Sequence, residues 1–264
     1  MPSSESREHK ELRTAIRALV RHFDDLETHQ FDYSHLKTHR VNVLPMGLDN
    51  SNAGPSFFNP CSASLLDPND EYDRERSKYS GFNSIDPVYR CPINCARGVI
   101  SYFSYYVFAN EIHCGYDIHS KLWSSIRDND KWASTNLFEH KFPEYGAPKA
   151  IEAKDRSYPH VKAMIYSNLN GEDGQILRGE IVVVLRIIRA QVRRVLLFSF
   201  IGPQHARVIE AYFDGSSLVM RPTKLFDLRE KDEALIKFLG QWYIGEATGD
   251  TKVLGSGDPD PLQT

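Results

Sequence analysis

The chain has 264 residues, of which 41% are hydrophobic, and its 14 Phe, 13 Tyr and 3 Trp supply a sizeable core for one large domain or one domain with an appended arm. Its 32 Lys and Arg stand against 35 Asp and Glu, a formal net charge of −3, which excludes a global electrostatic footprint for nucleic acid and requires any basic site to be local. The N-terminus MPSSESREHKELRTAIRAL lacks the apolar run of a signal peptide and no stretch is apolar enough to span a bilayer, so an intracellular location, cytoplasmic or nuclear, is expected.

Residues 4–28 read as an amphipathic helix. Leu12, Ile16, Leu19, Phe23 and Leu26 recur at steps of four, three, four and three, the spacing of a seam. That seam packs on the same chain or on a partner, including a second copy. Three heptads are marginal for an independent coiled coil, which favours the same chain. From Phe31 to Arg90 short apolar pieces alternate with LDNSNAGPS, FNPCSAS and a charged run over 67–78, the composition of turns and irregular connection.

The most apolar helix expected is 94–113, NCARGVISYFSYYVFANEIH, started by Pro92 and Asn94 and stopped by Gly115. Its tyrosines widen the apolar surface around the cylinder, so it should be buried on most sides. Ser120 to Asn129 is a weak helix or turn, with Trp123 and Trp132 as loop anchors. Phe138 to Asp155 reads as loop, and Pro159 to Leu169 as helix or strand. In GEIVVVLRIIRAQVRR the β-branched residues favour strand, but sixteen residues exceed a usual strand and Arg186, Arg189 and Arg193 form one helical stripe; a helix over 179–193 is expected.

Val195 to Ile201 is a continuous apolar run, as in a strand covered on both faces. Ala206 to Phe213 and Ser217 to Arg221 follow, joined by a two-residue hairpin at Asp214-Gly215. A last amphipathic helix runs over 230–244. The fold class expected is therefore α+β: an antiparallel three-stranded meander over about residues 195–221, packed by helices. The layout is a helical arm over 1–30, an irregular connector over 31–90, a core domain over 91–250 and a disordered polar tail over 251–264. The words GPQHARVIEAYFDGSSLVMRPTKLFDL and QWYIGEATGDT resemble the C-terminal part of a filamentous-fungal protein family of unknown function. The resemblance covers the last third to half of the chain; it implies a fungal, intracellular origin and no activity.

Four constellations bear on chemistry. Cys95 in the first helical turn, His205 at a strand start, and Asp214 or Glu210 nearby have the order of a papain- or transglutaminase-like cysteine hydrolase, although Arg221 stands where the latter group carries its acid. Cys91, Cys95, His113, Cys114 and His119 are ligand types for zinc, but a helix about 27 Å long separates the two groups, so no metal or cofactor is expected. Arg186, Arg189 and Arg193 form a basic face that could contact phosphates. Glu180 and Glu210 evoke a restriction-nuclease-like fold, but Glu210 is followed by Ala211-Tyr212 rather than x-Lys, so its magnesium motif fails. The function expected is an intracellular, non-catalytic interaction or structural module. The cysteine hydrolase is the alternative, and nucleic-acid binding the third reading.

Overall fold

The computed structural model describes residues 7–49, 54–68, 78–113, 122–126, 136–155, 159–191 and 193–249. The tail 251–264, Cys114, His119 and Trp132 lie outside these. Five helices are described: α1 (Arg7–Asp25), α2 (Tyr33–Leu36), α3 (Pro92–His113), α4 (Arg178–Gln191) and α5 (Glu233–Ile244). The strands are β1 (Gln30–Asp32), β2 (Val41–Val43), β3 (Phe58–Asn59), β4 (Trp123–Ser125), β5 (Phe138–Glu139), β6 (Tyr145–Ala153), β7 (His160–Asn170), β8 (Gln175–Leu177), β9 (Arg194–Gly202), β10 (His205–Phe213), β11 (Leu218–Pro222), β12 (Phe226–Asp227) and β13 (Glu246–Ala247).

The α+β class is observed, but the sheet is much larger than a meander. β9, β10 and β11 do pair antiparallel in sequence, and they form one part of a nine-stranded mixed sheet ordered β2-β11-β10-β9-β7-β6-β4, with β12 on β10 and β5 on β6. The expansion comes from β7, which pairs in parallel with β9 from His160↔Arg194 to Tyr166↔Phe200. A parallel neighbour needs a crossover, and α4 supplies it. β7 is buried over eight consecutive residues. Strands covered on both faces lose the alternation that identifies them in sequence, which is why 159–169 could be read either way.

Helices cover both faces. α1 and α4 pack on one, where Ile16, Phe23, Ile181, Leu185, Val195, Leu197, Ile209 and Phe213 share a core. α3 and α5 pack on the other with Phe103, Val107, Met164, Leu196, Phe198, Val208, Leu239 and Tyr243. The seam of α1 is turned inward: Ile16, Leu19 and Phe23 are buried, and Leu12 and Leu26 pack against the same core. At about 1.5–3 kcal/mol per buried large apolar side chain, these contacts hold α1 firmly on its own chain. The element that meets this seam is α4 of the same chain.

α4 starts where its sequence caps it. The Glu180 carboxylate accepts from the Leu177 backbone N–H at 2.8 Å, the reach-back half of a capping box. The connector is a wrapping segment as far as it is described: β1 pairs with β8, β2 runs parallel to β11, and β3 pairs with β13. The β10–β11 connection has four residues, 214–217, not two. Asp214 accounts for the extra length, because its carboxylate accepts from the Ser216 and Ser217 amides at 2.8 Å each, and Gly215 takes the positive φ of 103° that this turn demands.

Residues 138–155, read as loop, form β5 and β6. Pro143 lies in the β5–β6 connection, but Gly146 and Pro148 mark a β-bulge inside a strand: the β6–β7 register shifts between Gly146 and Lys149. The bulge reverses the parity of β6. Before it Tyr145 and Ala147 face α1 and α4, whereas after it Lys149, Ile151 and Ala153 face α3.

Candidate functional site

The hydrolase set is dispersed by strand alternation. Along β10, Arg207, Ile209, Ala211 and Phe213 face α1 and α4, while Ala206, Val208 and Glu210 face α3 and α5. His205 therefore projects to the α4 face, and Cys95 belongs to α3 on the opposite face. Asp214 lies past the far end of β10, about 30 Å of extended chain from His205 at about 3.3 Å per residue. Cys95 is buried, and its thiol donates to the Tyr89 carbonyl at 3.4 Å. Burial pushes that thiol up from its ordinary value, the opposite of activation. His205 stands 3.9 Å from Asp227; burial lowers its pKa, although Asp227 acts to raise it. Burial works upward on Asp214 too, but the bonds from Ser216 and Ser217 prevail and hold its carboxyl below the usual range.

The basic stripe is engaged inside the fold. Arg186 pairs with Asp24 at 3.0 Å and donates to the Asn136 carbonyl, and buried Arg193 pairs with Glu152 at 2.7 Å. Arg189 is partly buried between them. Phosphate contacts need exposed cations, and two of the three arginines expected in that stripe are engaged by acids of their own chain.

Both acids of the failed magnesium motif are buried ion-pair members on opposite faces. Glu180 holds Arg207 through two bonds of 2.8 and 2.6 Å. Glu210 holds Arg221 at 2.6 Å and accepts from the Ser56 and Phe57 amides, which fastens the wrapping segment to the sheet. Among the described residues no three His, Cys, Asp or Glu side chains stand so as to hold a metal ion. A Glu-x-Lys does occur at Glu152-Ala153-Lys154, but Glu152 is the partner of Arg193.

Lys162 is a cation the sequence did not single out. It is fully buried on β7, and its ammonium donates to the carbonyls of Trp242, Tyr243 and Gly245 at 3.0, 2.9 and 2.6 Å, with the Trp123 ring centre 4.5 Å away. These are the orphan carbonyls at the C-terminus of α5, so Lys162 caps that helix from the sheet. Burial draws its pKa well below the ordinary lysine value, while Cys61 and Glu246 act to raise it. The residue is a structural clamp.

The outer flank of α3 is different in kind. Arg97, Ser101, Ser104, Tyr105 and Phe108, spaced i, i+4, i+7, i+8 and i+11, form one wall of a groove of about 490 Å³. Pro148 and Lys149 of β6 and Tyr166 of β7 form the other wall. The Arg97 guanidinium lies 4.8 Å over the Tyr166 ring and pairs with Glu144 at 2.5 Å. Burial lowers the pKa of Lys149, with Glu111 opposing. From within the groove the stripe continues at i, i+3 and i+7 through Tyr105 and Phe108 to Ile112 beyond it, and these three are 48%, 47% and 51% exposed. The helix is buried on its other sides, as expected, and open along this one stripe. A second depression of about 800 Å³, lined by Asp227, Arg229, Lys231 and Glu233, is polar and internally paired, Arg229 to Asp227 and Lys231 to Glu233.

No family model, curated protein or solved structure matches this chain. The site must be read from its own side chains. Sequence reasoning missed the flank because two of its components are invisible in one dimension. The bulge that re-aims Lys149 looks like loop punctuation, and a helix apolar all round does not disclose which side its neighbours leave open. The signal that was available is the i, i+3, i+7 set of Tyr105, Phe108 and Ile112.

Proposed function

We propose that this protein is a non-catalytic interaction module that binds a protein partner along the outer flank of α3. One observation carries the reading: a helix otherwise built into the core leaves three large apolar side chains half exposed in a single stripe beside a groove. Contiguous exposed apolar surface of this kind marks contact sites, since a helix with no partner would present polar residues there. The competing chemistries have less support. A nucleophile and its base must come within hydrogen-bond reach, and Cys95 and His205 belong to opposite faces. Free, half-buried or buried thiols at Cys61, Cys91 and Cys95 accord with a reducing intracellular compartment, which we include in the proposal.

Site-specific photo-crosslinking in the source cells tests the idea. A benzoylphenylalanine at position 108 is expected to yield a discrete crosslinked species that is absent with the probe at position 17 of α1. The species should also disappear when Tyr105→Glu is added. Failure of positions 105, 108 and 112 to give any species distinct from position 17 overturns the assignment of the surface.

A further inference from the structure

Two cations line the groove along α3, and each has an acid of its own chain beside it, Glu144 at 2.5 Å from Arg97 and Glu111 acting on Lys149, though neither acid lines the groove itself. Both have donors to spare among the described residues. The bonds of Arg97 to Glu144 and to the Tyr166 hydroxyl both leave from Nη2, so Nε and Nη1 have no partner. Lys149 makes one long bond, 3.4 Å to the Ser104 carbonyl, for an ammonium that carries three hydrogens.

The spacing of these cations along the helix is set by α3 itself. Arg97 and Ser104, the residue that Lys149 reaches, are seven residues apart, a rise of about 10 Å. From Arg97 to Ile112 the stripe runs about 22 Å, roughly four helical turns. A small ligand is ordinarily enclosed on most of its surface, which an open trough of this length does not offer. A helix laid side by side with α3 matches the trough in length and in the period of its anchors.

We propose, building on the reading of the α3 flank as a contact surface, that its occupant is an amphipathic helix of a partner protein. That helix lays an apolar stripe against Tyr105, Phe108 and Ile112 and sets two carboxylates about seven residues apart against Arg97 and Lys149. A second copy of this chain is disfavoured as the occupant. Its own α3 would bring the same two cations to the seam, and its α1 already has its apolar side in the core.

The probes are two synthetic 18-residue helical peptides with one leucine stripe, one carrying glutamates a heptad apart beside the stripe and the other lysines at those positions. Binding to the full chain is read by fluorescence anisotropy at low and at high salt. The glutamate peptide should bind at least about tenfold tighter than the lysine peptide, with the difference shrinking in salt. Arg97→Gln and Lys149→Gln should each weaken the glutamate peptide by about three- to tenfold, and Phe108→Glu should abolish binding of both. Arg97→Glu should shift preference toward the lysine peptide, a gain that misfolding could not produce. Equal binding of the two peptides, both lost in Phe108→Glu, overturns the acidic helix and leaves the contact surface standing. Binding of neither overturns the helical occupant, and the contact surface then stands or falls on crosslinking at position 108.

Discussion

The Glu180–Arg207 pair offers the sharpest test of how this fold is held. Replacing Arg207 with Leu removes the bonds of 2.8 and 2.6 Å to the Glu180 carboxylate and a third of 2.6 Å to the Gln175 carbonyl. Both side chains are essentially inaccessible to water, at 1% and 0% exposure, so among the described residues the carboxylate left behind keeps only the Leu177 amide as partner. Removing one member of a buried pair costs about 3–5 kcal/mol, against near neutrality when both become apolar. Arg207→Leu should therefore reduce the free energy of unfolding measured in urea by that amount and lower Tm by roughly 6–10 °C. The double variant Glu180→Leu/Arg207→Leu should recover most of it, retaining a deficit of about 1–2 kcal/mol for the unpaired Leu177 amide and Gln175 carbonyl. The coupling in the double-mutant cycle should then be at least about 2 kcal/mol. The reasoning fails if Arg207→Leu costs under about 1 kcal/mol, or if the two single costs simply add.

Lys162→Met should destabilise the fold by about 2–4 kcal/mol, because the Trp242 and Tyr243 carbonyls lose the lysine donor and the Gly245 carbonyl keeps only Trp123 Nε1; hydrogen exchange should place the loosening in 242–246, and uniform loosening would argue against a local clamp. Cys95 should alkylate with iodoacetamide more slowly than a free cysteine at neutral pH and only catch up in alkali, since burial raises its thiol; mass-spectrometric rates faster than the free amino acid at pH 7 would contradict this. The Arg229 side chain bonded to Asp227, with smaller help from its amide and from His205, holds that carboxyl down at about 2. A lowered carboxyl stabilises above its unfolded value and loses the contribution as pH falls from about 4 towards 2, so Asp227→Asn should flatten that limb of the stability curve. Asp227 is half exposed, which limits the effect to under about 1 kcal/mol. Gly245→Ala should weaken the β3–β13 pairing, because a Cβ there would lie 2.0 Å from the Asn59 carbonyl oxygen; proteolysis within 54–61 would report it, and unchanged resistance would count against the contact.

What the sequence determined by itself is the set of strongly periodic and capped elements. The four-three steps from Leu12 to Leu26 specified α1, Pro92 and Asn94 the start of α3, the Arg-marked run α4, and the apolar block with its Pro and Gly breaks β9 to β11. Each rests on interactions between residues close in the chain, which is why a one-dimensional pattern carries them. The rest depended on partners far apart. β7 became a strand because β9 lies beside it in parallel, and its burial on both faces erased the alternation that would have announced it. Cys95, His205 and Asp214 looked like a set because they follow one another in the right order. Period-two alternation and the length of β10 then sent them to different faces and different ends. Arg186 and Arg193 read as a basic face until Asp24 and Glu152, each far away in sequence, met them. The α3 flank belongs wholly to this second kind. Its apolar side chains are written in the sequence, but their exposure follows from where β6, with its bulge, and α5 happen to leave α3 uncovered, and only packing in three dimensions decides that.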